Sequence, residues 1–192
     1  MPELSYKSPF LIYISGGLED FYSLKNIKAE FYEGMIMVQS TATIEHEESF
    51  IIIVNQIYNH IKNHEMGKVI GSRLITSFGE NQKFVPDIIF VSYQNKGIFG
   101  TNEFIGIPDM IFEIVTDTTK NYDFTIKRDV YKLNKVPEIC FYDLSDYSIT
   151  IDVLEGNNYI SKKIQSERQP SRTIKGFFWD PYGWKKMLKS EL

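Results

Sequence analysis

The spacing of apolar and polar residues predicts an alternation of short strands and amphipathic helices. The clearest element is a helix over residues 43–65, which Thr43 or Ser40 can cap. Its first turn is rich in glutamate, and the helix dipole favours negative charge there. An apolar stripe at helical spacing gives this helix one face to bury. The residues of the stripe are Ile51, Val54, Ile57, Tyr58 and Ile61.

Other elements are predicted on both sides of this helix. Before it come a strand at residues 10–14, a short helix at 19–27 and a hairpin at 31–38 that turns at Glu33-Gly34. After it the pattern predicts strands at residues 69–78, 84–91 and 110–115, with a loop at 93–103. A second helix is predicted at residues 122–134, with Ile126, Val130 and Leu133 on one face.

The last part of the chain is predicted to be mostly strand. Its strands are expected at residues 138–144, 148–154 and 158–164. The tail contains Trp179 and Trp184 and is expected to form a hairpin or short helix packed on the core. Strands dominate the middle of the chain and helices flank them. The pattern therefore predicts an α/β or α+β fold with a central mixed β-sheet.

Length and composition are those of one ordinary globular domain spanning residues 1–192. The net charge of −4 does not indicate the basic face that tight, autonomous binding of duplex DNA usually needs. The single cysteine, Cys140, lies in an apolar run, which predicts a buried structural thiol. Without a disulfide framework, a signal pattern or an apolar run long enough to span a bilayer, we expect a cytoplasmic protein with no membrane partner.

Two predicted strands each carry one acid among apolar neighbours. Asp87 lies within Phe84–Val91, and Glu113 lies within Met110–Val115. Because desolvating an unpaired carboxylate is costly, each acid is expected to face a cleft or to bind a cation. Two converging carboxylates repel each other unless a cation joins them. A hard divalent ion such as Mg²⁺ is the natural partner for such oxygen ligands.

Three polar residues share one face of the second predicted helix. Asp123, Lys127 and Tyr131 are spaced four residues apart, and their face differs from the one that carries Val130. A lysine on that face could lean over the two carboxylates, where it would stabilise charge on a phosphate or position an attacking water. Two acids and a lysine around a metal are typical of phosphodiester hydrolysis. The alternative is an exposed Asp123–Lys127 pair that contributes little.

The arrangement of these residues resembles the Uma-two family of endonucleases, which belongs to the PD-(D/E)XK nuclease superfamily. The resemblance runs from about residue 28 to residue 165. In the N-terminal half, residues 30–34 resemble the family's acidic hairpin and His46 resembles its histidine before a long helix. The middle of the chain carries the more specific part: Pro86-Asp87-Ile88, residues 106–116 around Glu113, then Asp123, Lys127, Tyr131, Val136, Glu138 and Asp143.

This resemblance implies a restriction-endonuclease-like core in which Asp87 and Glu113 are the two acids of the superfamily pattern. The third position of the pattern is Val115 instead of lysine, so the resemblance assigns the lysine's role to Lys127 on the following helix. The strand after that helix keeps Asp143 but lacks the family's aromatic pair. That departure concerns packing rather than the metal site.

The roles of three neighbouring residues follow from the same resemblance. Glu30 is either an additional acid near the site or a glutamate on the surface of its hairpin. His46 is expected to cap or pack its helix rather than to take part in catalysis. Tyr131 is expected to support Lys127. Three residues are thus expected to support the catalytic residues: Glu30, Asp123 and Tyr131.

The leading hypothesis is an endonuclease that depends on Mg²⁺ or Mn²⁺ and hydrolyses phosphodiester bonds of DNA. Asp87 and Glu113 would hold the metal, with the backbone carbonyl of Ile114 as a further ligand, and Lys127 would orient the attacking water. A homodimer is compatible with this hypothesis, because many nucleases pair subunits to cut two strands. Two alternatives stay open: a non-catalytic module that binds nucleic acid or protein, and a structural protein with a buried ion pair. The acidic net charge favours the non-catalytic binding module, whereas the intact acid–acid–lysine set favours the nuclease.

Overall fold

The computed structural model describes residues 5–8, 11–24, 27–39, 41–71 and 73–190. The strands of these residues are β1 (Ser5–Ser8), β2 (Leu11–Ser15), β3 (Ala29–Tyr32), β4 (Met35–Gln39), β5 (Gly67–Gly71), β6 (Ile75–Gly79), β7 (Gln82–Phe84), β8 (Ile88–Ser92), β9 (Ile98–Phe99), β10 (Glu103–Ile105), β11 (Met110–Val115), β12 (Glu138–Asp143), β13 (Ser148–Glu155), β14 (Asn158–Ile164), β15 (Gln169–Pro170) and β16 (Phe178–Trp179). The helices are α1 (Leu18–Ser23), α2 (Ile44–Asn63), α3 (Lys120–Tyr122), α4 (Arg128–Leu133) and α5 (Pro181–Lys189), with a π-helix at Asp123–Lys127 between α3 and α4.

A six-stranded mixed sheet forms the centre of the fold, in the order β14-β13-β12-β11-β8-β5. Strands β11 and β12 run parallel, and the other neighbours are antiparallel. Strand β8 pairs directly with β11, with Phe90 opposite Met110. The predicted central mixed sheet, with the two acid-bearing segments side by side, is confirmed. The hairpin β3–β4 and the strands β12, β13 and β14 also match their predicted positions.

A second, eight-stranded sheet has the order β1-β2-β4-β3-β7-β6-β10-β9. The predicted strand at residues 69–78 is wrong, because β5 belongs to the central sheet and β6 to this second one. The predicted strand at 84–91 is likewise divided into β7 and β8, on either side of Pro86, which has no N–H for a sheet hydrogen bond. The predicted loop at 93–103 contains β9 and the start of β10. The chain therefore changes sheets immediately before Asp87.

Helix α2 covers one face of the central sheet. Thr43 caps it, since its Oγ1 accepts a hydrogen bond from the backbone N–H of His46 at 3.2 Å; Ser40, the other candidate cap, lies outside the described residues. The buried line of the helix is Ile53, Ile57 and Ile61. The predicted stripe is therefore wrong in part. Ile51 is 55% exposed and Tyr58 is 48% exposed, because the buried face is rotated towards Ile53.

The opposite face of the central sheet packs against the helical segment and the second sheet. Residues at alternate positions of the strands, among them Ile89, Ile111 and Val115, belong to one apolar cluster with Val130 and Tyr131 from α4 and Phe84 from β7. The same apolar cluster also contains Met37, Phe104, Tyr122, Val136, Ile139 and Phe141. Glu113 lies between Ile111 and Val115 in the alternation, so its side chain points to this face.

The predicted helix at 122–134 is interrupted by one turn of π-helix. Asp123–Lys127 form this turn, and the chain continues as α4. Val130 is buried, but Leu133 is 70% exposed, so the predicted apolar face with Ile126 ends before Leu133. A π-turn holds more residues than an α-turn and changes which side chains face the core.

The C-terminal segment closes the first face of the central sheet. Trp179 and Trp184 are both fully buried against Phe112, as the sequence predicts. Strands β15 and β16 form a short hairpin, and Asp180 caps α5 by accepting a hydrogen bond from the N–H of Gly183 at 2.9 Å. The buried carboxylate of Glu138 accepts hydrogen bonds from Trp179 Nε1 at 2.8 Å and from Ser171 Oγ at 2.7 Å.

Cys140 is buried on the same face, in agreement with the prediction of a structural thiol. Among the described residues, no helix is both long and apolar enough to cross a lipid bilayer.

Candidate active site

Asp87 lies where the chain enters the central sheet, and its carboxylate has three donors. Its Oδ2 accepts a hydrogen bond from the backbone N–H of Ile114 at 2.9 Å, which ties it to β11. Lys28 Nζ lies 2.8 Å from Oδ1, and His46 Nε2 lies 3.2 Å from Oδ2. Burial opposes the charge, but Lys28 and His46 outweigh it and hold the pKa of Asp87 well below its usual range. Asp87 is therefore an ionised carboxylate at neutral pH.

Glu113 is the second acid and lies beside Asp87. The backbone N–H of Asp87 points to Glu113 Oε2 at 3.4 Å, while the Tyr131 hydroxyl donates to Oε1 at 2.6 Å. Lys127 Nζ lies 3.1 Å from Oε2. Burial raises the pKa of Glu113 to about 8, with Lys127 opposing the rise and Asp87 adding to it. The two acids therefore sit side by side in different charge environments.

Lys127 is buried among carboxylates. Besides Glu113, its Nζ lies 3.3 Å from Glu30 Oε1 and 3.4 Å from Asp123 Oδ1. Burial opposes its charge, but the attraction of Glu113, Glu30 and Asp123 outweighs burial and raises the pKa of Lys127 well above its usual value. Lys127 is thus a fixed cation that leans over the acids. The exposed Asp123–Lys127 pair considered from the sequence is not what the structure has, because both residues are buried.

The π-helix explains how two polar residues of one segment reach this buried position. Asp123 begins the π-turn and Lys127 ends it. π-turns are often found where a functional side chain has to be directed out of regular helical register. Here the turn places the Asp123 carboxylate and the Lys127 ammonium on the side that faces the two strands.

Glu30 belongs to the site and not to the hairpin surface. Its carboxylate is completely buried and accepts hydrogen bonds from the backbone N–H of Val85 at 2.8 Å and from the Tyr122 hydroxyl at 2.7 Å. It links the second sheet to Lys127. Tyr131 supports Glu113 directly, where the sequence suggested that it would support Lys127.

The contacts of two residues with Asp87 were not identified from the sequence. Lys28 directly precedes β3 and carries no signal beyond its position at the beginning of the family-like region. His46 was expected only to cap or pack; its backbone is capped by Thr43, while its side chain reaches Asp87. Burial lowers the pKa of His46, but the interaction with Asp87 outweighs burial and raises it. The pKa of Lys28 is raised in the same way.

An open cavity of about 360 Å³ lies over these residues. Its lining combines the buried acids Asp87, Glu113 and Asp123 with the cationic side chains Lys28, Arg73 and Lys127. Threonine side chains, His46 and the exposed acid Glu47 also line it; the threonines are Thr41, Thr43, Thr116, Thr118 and Thr119. Buried acids beside cationic and hydroxyl donors suit an anionic group that approaches over a bound cation.

The donor set fits a hard divalent ion of the Mg²⁺ type. Such an ion is commonly held by one or two carboxylates and keeps water and substrate oxygens as its other ligands. Asp87 and Glu113 provide two adjacent carboxylates at the floor of an open cavity, and Ile114 contributes backbone to its wall. Within the described part of the chain, no group of three or more His, Cys, Asp or Glu side chains forms a closed metal cage.

The fold is shared with a solved protein. The structure of "a putative nuclease belonging to DUF820 from Anabaena variabilis ATCC 29413" superimposes with a TM-score of 0.74 and 16% sequence identity. The match covers 90% of this chain and 98% of that chain. The nuclease-like α+β architecture expected from the sequence is thereby confirmed.

Sequence comparison assigns the family. Among curated proteins, none matches this chain. The model of the Uma2 (Uma-two) family, described as "Putative restriction endonuclease", matches residues 18–180. Since that match includes both acid-bearing strands, the helical segment and most of the remaining sequence, the chain belongs to the Uma2 family.

Proposed function

We propose that this protein is a divalent-metal-dependent nuclease that hydrolyses phosphodiester bonds of DNA. The observation that supports the proposal most directly is the convergence of Asp87, Glu113 and Lys127 at the floor of one open cavity. The family and the nuclease-like fold agree with a reaction of this class.

Asp87 and Glu113 would hold Mg²⁺ or Mn²⁺, with the backbone carbonyl of Ile114 as a further ligand. When bound, the ion supplies Lewis-acid activation of the phosphodiester and of water. The groups around the two acids determine how their carboxyl oxygens are oriented in the cavity. Tyr131 fixes one oxygen of Glu113, and the N–H of Ile114 fixes one oxygen of Asp87. This fixation holds both carboxylates in place before a substrate arrives.

Lys127 would act as a fixed positive charge and hydrogen-bond donor. Its raised pKa keeps it protonated at neutral pH, so it is unsuited to accept a proton as a general base. It is suited to stabilise negative charge that develops on a phosphate oxygen and to orient the attacking water by donating to it. Glu30 and Asp123 keep its ammonium in place.

A binding module without catalysis is the second candidate. It is favoured by the extent to which the protein's own cations already occupy the acids: Lys28 and His46 contact Asp87, and Lys127 contacts Glu113. Such a site could be held together by ion pairs alone, as in the structural alternative. Metal binding separates the nuclease from the structural alternative, and DNA cleavage separates it from the binding module.

The test combines a calorimetric titration with Mn²⁺ and Mg²⁺ and cleavage assays on supercoiled, linear and single-stranded DNA. We expect Asp87→Asn to abolish metal binding and cleavage together. We expect Lys127→Ala to remove most cleavage while leaving much of the metal binding; Lys127→Met, which keeps the side-chain volume, guards against an effect of packing alone. Lys163→Ala is the control, because Lys163 forms an exposed ion pair with Asp146 and neither residue lines the cavity.

The outcomes separate cleanly. Retention of cleavage after Lys127→Ala would show that another group positions the water. Absence of metal binding and of cleavage in the wild type would make the binding module the better interpretation. Gel filtration with and without DNA tests the homodimer that cutting both strands would favour.

A further inference from the structure

A second cavity lies next to the candidate active site. Its volume is about 400 Å³, and one part of its wall is apolar while the other part carries polar groups. This size is within the range of small-ligand pockets, which are commonly some 300–1,000 Å³. Its lining includes Phe21, Tyr22, Ile27, Lys28, Arg73 and Asn102.

The two cavities share Lys28 and Arg73, which line both of them. Lys28 Nζ lies 2.8 Å from Asp87 Oδ1, so the shared wall reaches the proposed metal ligand directly. Arg73 is exposed, and none of the described residues forms an ion pair with its guanidinium or accepts a hydrogen bond from it. The boundary between the cavities therefore carries an exposed guanidinium, a group suited to bind phosphate.

The apolar part of the second cavity's wall carries an exposed aromatic ring. The Tyr22 ring is 50% exposed and meets the buried Phe21 ring edge-on, with the centroids 5.1 Å apart. The Tyr22 hydroxyl lies close enough to the Lys83 ammonium to interact with it. Ile27 is 48% exposed on the same wall. An exposed, oriented aromatic ring beside an exposed aliphatic side chain is a surface on which a planar ring can pack.

We propose that the second cavity receives one unpaired nucleotide of the substrate, next to the phosphodiester bond that is cut. Arg73 binds the phosphate that joins this nucleotide to the one at the active site. The base packs against Tyr22 and Ile27, and the Asn102 amide hydrogen-bonds to the edge of the base. This inference rests on the proposed nuclease function and names its substrate class: strands with an unpaired nucleotide at the cut, such as single strands, overhangs and bulges.

Charge and shape both favour this substrate over a continuous duplex. A base in a duplex is stacked and paired, so it enters a cavity of this kind only after it leaves the helix, whereas an unpaired base avoids that cost. The net charge of −4 also gives the protein little means to bind many phosphates of a duplex. Stacking on aromatic rings with a few cations along the backbone is how proteins bind single strands.

The experiment uses the full chain and three labelled oligonucleotides. They are a continuous duplex, the same duplex with a one-nucleotide bulge, and the bulged duplex with an abasic residue at the bulge. Binding is measured by fluorescence anisotropy without added metal, and cleavage is measured with Mn²⁺. We expect the bulged duplex to bind roughly tenfold more tightly than the continuous one, the strength of a single stacked base. We expect the abasic bulge to lose most of that preference.

The variants assign the preference to the cavity. Tyr22→Ala and Arg73→Gln are expected to reduce the preference for the bulge to near one, whereas Tyr182→Ala and Arg168→Gln leave it unchanged. Tyr182 is the matched control because it is 47% exposed, and Arg168 is the matched cation because its side chain is 63% exposed. Asn102→Ala is expected to weaken binding of the bulge several-fold without affecting binding of the abasic bulge.

Failure of this inference is distinguishable from failure of the nuclease proposal. If Asp87→Asn abolishes cleavage while Tyr22→Ala and Arg73→Gln keep the wild-type preference, the nuclease stands and the nucleotide cavity is overturned. If the wild type cleaves nothing but prefers the bulge in a way that Tyr22→Ala removes, the cavity is supported independently of catalysis. Equal binding of the bulged and abasic duplexes overturns the inference.

Discussion

Lys28 Nζ lies 2.8 Å from Oδ1 of Asp87, so a protein cation contacts the same carboxylate that we propose as a metal ligand. Lys28 reaches it from the second sheet, while Asp87 stands at the entry to the central one. A divalent ion that bound Asp87, as we propose, would have to compete with the Lys28 ammonium for this oxygen. The proposal therefore implies that Lys28 lowers the affinity of the site for a metal.

The first prediction concerns this competition. Lys28→Met removes the competing charge but keeps the length of the side chain, so Mn²⁺ should bind about tenfold more tightly, since a hydrogen bond to a charged group contributes about 1.5–3 kcal/mol. Isothermal titration calorimetry measures the affinity. Lys163→Met, which removes an exposed lysine elsewhere, should leave it unchanged. Weaker Mn²⁺ binding by Lys28→Met would mean that Lys28 helps to build the site instead of competing within it.

The second prediction concerns Tyr131, whose hydroxyl donates to Glu113 Oε1 at 2.6 Å. Tyr131→Phe removes this donor and leaves the ring in the core. We expect cleavage to fall about tenfold and the free energy of unfolding to fall by about 1–3 kcal/mol. Tyr159→Phe is the matched control, because the Tyr159 hydroxyl donates to the backbone carbonyl of Val136 at 2.7 Å, away from the acids. It should lower stability but not cleavage; equal cleavage rates in the two variants would argue against a role of Tyr131 in presenting Glu113.

The third prediction separates the two faces of helix α2. Ile57 is fully buried, whereas Ile51 on the same helix is 55% exposed. Ile57→Asp places an unpaired charge in the core and should lower the free energy of unfolding by more than about 3 kcal/mol. Ile51→Asp should change it by less than about 1 kcal/mol. Urea denaturation followed by tryptophan fluorescence measures both, and similar midpoints would show that the buried face is assigned wrongly.

The fourth prediction is a pH dependence of stability at Asp152. Its buried carboxylate accepts hydrogen bonds from Arg128 Nε at 2.7 Å and from Arg128 Nη2 at 2.9 Å. Burial opposes the charge of Asp152, but Arg128, Ser161 and Lys132 outweigh it and lower the pKa of Asp152. A carboxyl whose pKa is lower in the folded state stabilises the fold above its unfolded pKa, near 3.9, and loses that contribution as the pH falls further.

Asp152→Asn should therefore cost about 1.5–3 kcal/mol at pH 7, and the difference from the wild type should shrink as the pH falls below about 4. Thermal unfolding between pH 3 and pH 7 measures this difference. Glu155→Asn, at the exposed end of the same strand, is the control for the loss of a surface acid. A cost that stays constant with pH would mean that the ion pair with Arg128 is not its origin.

Much of the central fold could be predicted from the sequence because it depends on local pattern. Strands β11 to β14 show clear alternation or short apolar runs, and Thr43 marks the start of α2. The proximity of Asp87 and Glu113 followed once their two strands were taken as neighbours. Lys127 followed from its four-residue spacing with Asp123 and Tyr131, together with the family resemblance.

The predictions that proved wrong failed for specific physical reasons. Residues 51–53 of α2 are three consecutive isoleucines, so several helix faces are apolar enough to be buried and only the sheet beneath decides between them. Alternation along residues 69–78 is the same whether one strand continues or two strands enter different sheets. The π-turn at Asp123–Lys127 depends on contacts with the strands, and a helical periodicity does not reveal it.

The roles of Lys28 and His46 depend on long-range geometry. Asp87 is 59 residues from Lys28 and 41 residues from His46 along the chain. Their contacts exist only after the second sheet and α2 have been placed against the central sheet. Neither residue type nor local spacing indicates such a meeting, so the electrostatic surroundings of Asp87 could be found only from the structure.

The buried carboxylate of Glu138 bears on the order in which the protein can fold during its synthesis. Its donors Ser171 and Trp179 come 33 and 41 residues later in the chain. At about 5–20 residues per second, a ribosome needs roughly 2–8 s to produce them after Glu138. During that interval neither Trp179 nor Trp184 can cover the sheet face that they cover in the folded protein. The nascent chain thus completes its core only when the C-terminal segment emerges, which makes final folding a late event of translation.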